Sequence, residues 1–339
     1  LKSKQNPEGY WAQPSYPALT ALAVTAYMRD PANQGKPVPE YIRKGYDFIL
    51  KSQKEDGSIF NRGMSSYNTA VCMMALLAAN KEEYAPAILK GRAYLIKQQN
   101  HFAPDNPYNG GIGYGDKQAP PIADLSNTSL ALEAIYYSQK LAKDGKYGEQ
   151  PDLDWNAATE FINRCQQNPA VNKEPWVSND KSQLGGFVYR PGVSSARDKK
   201  SAAFDKAEPP KAYGSMTYAG MQSLIYANVD KNDPRVKLAL KWLENSYSLD
   251  ENPGMGVQGL YYYYQAMSKA LSAMGIDTLT LENGRKVDWR DELANKLISI
   301  QKSDGSWVNT NNRWWEADPV LVTSYCVLAL EQLYHSIPR

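Results

Sequence analysis

The chain has 339 residues, 42% hydrophobic and 22% charged, which is enough apolar material for a real core and too little charge for disorder. Lys plus Arg number 38 against 36 Asp plus Glu, a net charge of +2, and no basic run exceeds Lys199-Lys200, so an electrostatic nucleic-acid surface is excluded. No window approaches eighteen consecutive apolar residues, which excludes a spanning helix; three Cys and two His make neither a disulfide scaffold nor a His-rich metal site.

The predicted elements alternate between two kinds of helix. Leu1 to Trp11 reads as a helix end whose body is missing, so the chain is expected to begin inside a repeat, with a leader removed or absent and an exported location. Inner helices are predicted over 17–28, 66–79, 126–141, 216–228, 258–274 and 319–334. Outer helices precede or follow them over 38–52, 86–99, 154–167, 233–247 and 288–301. Gly186 to Arg190 is the best strand candidate. The Lys-rich stretch 192–211 reads as a solvated excursion and a candidate lid. Three cysteines and 24 Tyr against 6 Phe are scattered through this pattern.

Internal repetition decides the architecture. Five segments open with Thr20, Thr69, Thr128, Thr217 and Thr323. Three positions on stand Ala23, Cys72, Ala131, Gly220 and Cys326; six positions on stand Ala26, Ala75, Ala134, Ser223 and Ala329. Small residues at this spacing share one helix face and let neighbouring helices approach closely. A weaker sixth copy starts at Tyr264, with Met267 and Ala270 in the small positions. Cys72 and Cys326 therefore read as small buried fillers. The outer helices end in a common punctuation, Gln53-Lys-Glu-Asp-Gly-Ser58 and Gln301-Lys-Ser-Asp-Gly-Ser-Trp307, where Asp-Gly stops the helix. One helical hairpin cannot bury its own apolar face, and six can close on themselves. The expected fold is all-α, a single (α/α)6 toroid over 1–339 with Gly-rich connecting loops.

The Gln-x-x-Asp-Gly-Ser-Trp segment ending at Trp307, echoed over 53–59, resembles the QW motif of the squalene cyclase and protein prenyltransferase superfamily, over nearly the whole chain. The resemblance implies the same toroid, with Gln301 and Trp307 structural. It also implies where chemistry would lie. The proton-donating Asp-x-Asp-Asp-Thr segment of such cyclases has one counterpart, Asp124-Leu-Ser126-Asn127-Thr128, in which Ser126 replaces the central acid. A zinc set and a diphosphate-binding Asp-rich motif are missing, so no metal and no cofactor are expected.

What remains is a cavity edged by glycines and tyrosines, in loops such as Gly110-Gly-Ile-Gly-Tyr114 and Gly254-Met-Gly-Val-Gln258. Candidate ligand-binding residues are Tyr114, Tyr189, Tyr213, Tyr218, Gln258, Tyr261, Trp314 and Trp315, since Tyr and Trp pair a flat apolar face with a polar tip. Candidate catalytic acids are Asp124, Glu316 and Asp318. Asp318 before Pro319 reads first as a helix cap, Asp124 lies two residues before a Ser126 cap, and Glu316 is less easily read as a cap. Helix N-termini facing a ring would favour an anionic ligand. The Arg313 to Glu316 stretch would hold a ligand or seal the ring against Tyr10-Trp11. The expected partner is a small-molecule or oligomeric ligand, an isoprenoid or a glycan, with no nucleic acid. Four functions fit: a toroid without the proton-donating motif that binds a ligand, a terpene cyclase, a polysaccharide lyase or hydrolase, and a structural or interaction module.

Overall fold

In the computed structural model the residues described are 1–115, 122–196 and 209–337. Six inner helices, α1 (Pro17–Arg29), α3 (Ser65–Ala78), α5 (Leu125–Tyr137), α8 (Gly214–Tyr226), α10 (Leu260–Met274) and α12 (Pro319–His335), alternate with outer helices α2 (Glu40–Lys51), α4 (Ala85–Lys97), α7 (Trp155–Cys165), α9 (Pro234–Asn245) and α11 (Trp289–Ser299). A short helix, α6 (Gln139–Ala142), follows α5, and the 3-10 turn Lys2–Lys4 precedes α1. Each inner helix packs on the next, and α12 packs back on α1, so the ring closes.

The two layers differ because their surroundings differ. In α2 only Ile42, Gly45, Tyr46 and Ile49 are buried, the single stripe of a helix with one face in water. In α8 every residue but Ile225 is buried, as an inner position demands.

The joints between layers explain the repeated residues. The backbone N–H of Trp11, Ile59, Ile112, Phe187 and Trp307 donates to Oγ1 of Thr20, Thr69, Thr128, Thr217 and Thr323, at 3.0, 2.8, 2.9, 3.0 and 3.2 Å. Each Thr thereby satisfies a loop amide that would otherwise be buried without an acceptor. Gln5, Gln53, Gln99 and Gln166 donate their amides both to the turn glycine's carbonyl and to the start of the next outer helix, at Tyr41, Ala87, Asp154 and Arg235. Gln301 makes the first of these bonds, to Gly305. The turn glycine must be glycine: Gly57 has φ +91° and a Cβ there would lie 2.2 Å from the Lys90 carbonyl oxygen. In the sixth copy Tyr264 stands for Thr, and its hydroxyl reaches the Leu249 carbonyl at 2.5 Å. Cys72 and Cys326 are buried at the small positions.

Two expectations need correction. Gly186 to Arg190 makes only isolated antiparallel bridges, Phe187 with Gln166 and Arg190 with Val193, and no continuous strand, since the Phe187 amide turns to Thr217. A short antiparallel hairpin, β1 (Thr278–Thr280) and β2 (Lys286–Asp288), lies elsewhere. The inner helix expected over 126–141 breaks at Ser138, whose hydroxyl takes the Ala134 carbonyl at 2.7 Å. Residues 197–208 of the candidate lid lie outside the described residues.

Candidate functional site

The inner helices surround a cavity that opens to solvent. Its wall is read directly from the repeat. Two positions beyond each repeat start stand Leu22, Val71, Leu130, Ala219, Ala266 and Tyr325, and five positions beyond stand Thr25, Met74, Glu133, Gln222, Lys269 and Leu328; all twelve line the cavity. The small positions, three and six beyond, face the helix contacts instead. One helix phase therefore builds the ring and another builds its lumen.

The lumen is graded along its axis. Tyr67 and Tyr262 contribute at the N-terminal end of their helices, with the first tier of six almost wholly apolar below them. Tyr67 is hydrogen-bonded to Tyr325, and burial pushes its hydroxyl up to about 12, so it stays neutral. The second tier is polar on three neighbouring helices: Lys269 of α10 forms an ion pair with Glu133 of α5, passing in front of α8 and Gln222. Arg29, the last residue of α1, lines the same space.

The N-terminal mouth holds most of the residues expected from sequence, in two groups. In the first, Asp124 is the N-cap of α5, accepting from the Asn127 amide and side chain, both at 2.8 Å. The helix begins one residue after it, so the cap is Asp124 itself and not Ser126. Burial lifts the Asp124 carboxyl to about 6, against the opposing pull of Asn127, Tyr189 and the Arg190 charge. Tyr189 stands against Asp124 and its hydroxyl lies 3.5 Å from that of Tyr114. Tyr213 is buried beside them. Ser126 is hydrogen-bonded to Tyr262, at the upper end of the lumen.

In the second group, Glu316 is a cap after all, but of another helix. Its carboxylate accepts from the amides of Tyr262 and Tyr261 at 2.8 and 3.4 Å, and from Asn309 at 2.7 Å. Gly259, the residue before α10, has no side chain to do this. Asp318 caps α12 through the Val320 amide at 2.8 Å. Trp314 and Trp315 are part-exposed and both in the left-handed region, at φ 55° and 63°, a costly conformation for bulky residues. Arg313 covers Trp314 and hydrogen-bonds Gln258. Trp315 packs on Tyr16, 4.7 Å between centroids and tilted by 50°, while Tyr10 packs on Phe48 and Trp11 on Tyr41.

Two further expectations fail on helix phase. Tyr261 points to the Val308 carbonyl and Tyr218 packs on Tyr263, both in the wall, while Tyr262, one residue on, faces the lumen. The inner-helix N-termini are also not free for an anion. Asn68, Asp124, Asn252, Glu316 and Asp318 already accept from the first turns of α1, α5, α8, α10 and α12, and the Tyr114 carbonyl accepts from the Ser66 amide of α3. The sequence reading missed Arg29, Glu133 and Lys269, each a lone charge near the end of an apolar helix; the repeat register was the signal that would have placed the last two in the lumen.

Among the described residues no group of three His, Cys, Asp or Glu side chains converges on a metal position, and no helix is long and apolar enough to cross a membrane. By sequence, no protein-family model and no curated protein matches the chain. By structure it is similar to the type II terpene cyclase MstE from Scytonema, solved in complex with geranylgeranyl dihydroxybenzoate, at TM-score 0.55 and 10% identity over 99% of this chain and 94% of that one. It is similar also to protein geranylgeranyltransferase-I of Candida albicans, complexed with GGPP, at TM-score 0.58 and 14% identity over 95% and 85% of the two chains. A protein from Actinoplanes matches at TM-score 0.51 and 13% identity, over 98% and 95%. The chain thus has the terpenoid cyclase and prenyltransferase type of α/α toroid.

Proposed function

We propose that the protein binds a linear isoprenoid-class ligand in the lumen, with the chain against the first tier of six and its end under Tyr67 and Tyr262. The observation that carries this reading is the tier itself: Leu22, Val71, Leu130, Ala219 and Ala266 offer hydrocarbon, and Tyr325 alone offers a hydroxyl. Such a wall suits an apolar chain and leaves the many hydroxyls of a glycan without partners. The isoprenoid ligands of the cyclase and the transferase above support the same choice. Because Ser126 occupies the place of the central acid, binding is proposed without cyclisation started by alkene protonation, since a hydroxyl is too weak an acid for that step.

The test is binding of farnesol and geranylgeraniol, followed by quenching of Tyr and Trp fluorescence, in the wild type and in Ala266→Trp. Saturable binding that the Trp substitution abolishes, with the protein still folded by circular dichroism, is the expected result. Equal binding by the filled variant would place the ligand elsewhere and end this reading.

A further inference from the structure

The far end of the lumen differs from the rest, and its charges do not balance. Lys269 is matched by Glu133. Arg29 is not matched: the one hydrogen bond of its side chain among the described residues runs from Nη2 to the neutral side chain of Gln332, at 2.6 Å. Three carboxylates stand near enough to matter, and none takes it. Glu133 is held by Lys269. Asp30, next in the chain, accepts from the Ala32 amide at 2.8 Å and from Asn33. Glu331 of α12 is 5% exposed, and neither of its oxygens has a hydrogen-bond partner among the described residues. Burial raises the Glu331 carboxyl to about 9, with the nearby Arg29 charge opposing, so at neutral pH it is uncharged.

A guanidinium has five N–H donors in a planar fork that fits two oxygens of one acid group. Here most of that fork is unused in the wall of a cavity. The net charge of the tier, Arg29 and Lys269 against Glu133, is positive. The opposite mouth cannot take an anion in the same way, because its helix N-termini are filled by the protein's own oxygens.

We infer that Arg29 holds the oxyanion head, a carboxylate or phosphate, of an amphiphile whose apolar chain lies in the lumen. This rests on the lumen reading above and adds the ligand's polarity and direction: head at the C-terminal ends of the inner helices, tail under Tyr67 and Tyr262. Leu22 and Arg29 are two helical turns apart on α1, about 10 Å, so head and first apolar tier are served by one extended molecule. Lys269, neutralised by Glu133, leaves Arg29 as the unmatched charge at this end of the lumen.

The test compares three probes with one chain, farnesol, farnesoic acid and farnesyl monophosphate, by titration calorimetry on the wild-type protein and on Arg29→Gln and Arg29→Lys. The expected result is that one or both acids bind about tenfold or more tighter than the alcohol, as a charge-assisted pair should. Arg29→Gln should remove this preference, the acids falling to about the affinity of the alcohol, with Arg29→Lys between. The acid that is favoured tells carboxylate from phosphate. Equal affinity for all three probes on the wild type overturns this inference and leaves the lumen reading intact, and it does so even if the Arg29 variants fail to fold. Failure of farnesol itself to bind overturns the lumen reading and this one with it.

Discussion

Gly220 lies directly beneath the ring of Phe187: a Cβ at Gly220 would stand 2.4 Å from the ring's Cδ1. The pair joins a loop to an inner helix at the small position of the fourth repeat. In the copies with Ile59 and Ile112 in the place of Phe187, the helix carries Cys72 and Ala131. Gly220→Ala should destabilise by about 1–3 kcal/mol through overpacking, although Ala is the better helix former by about 1 kcal/mol. Phe187→Ile should restore the loss in the double variant. Urea unfolding of the two singles and the double checks this; additive effects would show that the contact does not set the residue.

The threonine joints make a second prediction. Thr69→Val and Thr128→Val keep the shape and remove the acceptor for the Ile59 and Ile112 amides. Each should cost about 1–3 kcal/mol, the penalty for a buried N–H without a partner. Thr→Ser at the same sites should recover most of it. A Val variant as stable as the wild type, beside a Ser variant that is not, would assign the role to the methyl group.

Glu316 should behave as a structural acid. Glu316→Ala leaves the Tyr262 amide without its 2.8 Å acceptor and should lower stability by about 1–3 kcal/mol, with Glu316→Gln losing less. Farnesol affinity of the folded fraction should not change. A variant of unchanged melting temperature and lost binding would return Glu316 to the ligand.

Glu331 sets a pH dependence. Its carboxyl rises from an ordinary 4.5 to about 9 in the fold. Between these values the folded state holds a proton that the unfolded state has released, so stability is greatest below pH 4.5 and falls as pH rises toward 9. Glu331→Gln removes this slope. Unfolding free energies at pH 5, 7 and 9 should converge at the acid end and diverge in favour of the variant at the alkaline end, by an amount on the order of a few kcal/mol. Parallel curves would show that water or a counter-charge reaches the group.

The sequence made the ring readable because its joints are local and repeated: Thr, a small residue, and the Gln-to-Gly turn recur at fixed spacing, and each has one backbone partner nearby. The mouth was half readable. Asp124, Tyr114, Tyr189 and Tyr213 do meet, since they edge neighbouring loops. Glu316 was misplaced because its partner, the Tyr262 amide, is 54 residues away, beyond any capping pattern along the chain. Tyr261 was chosen over Tyr262 for want of a phase: four consecutive tyrosines give no periodicity by themselves. Arg29 was missed because a basic residue at a helix C-terminus is already explained by the helix dipole.

The separation of joint positions from lumen positions has a consequence for how such a molecule can vary. A side chain two or five residues past a repeat start touches the cavity and takes no part in the threonine and glutamine joints. Exchange at these twelve sites therefore alters the shape and charge of the hole while leaving the threonine and glutamine joints in place. The chain works as a frame with replaceable lining, and a relative with the same joints and a different lining would be free to take a different guest.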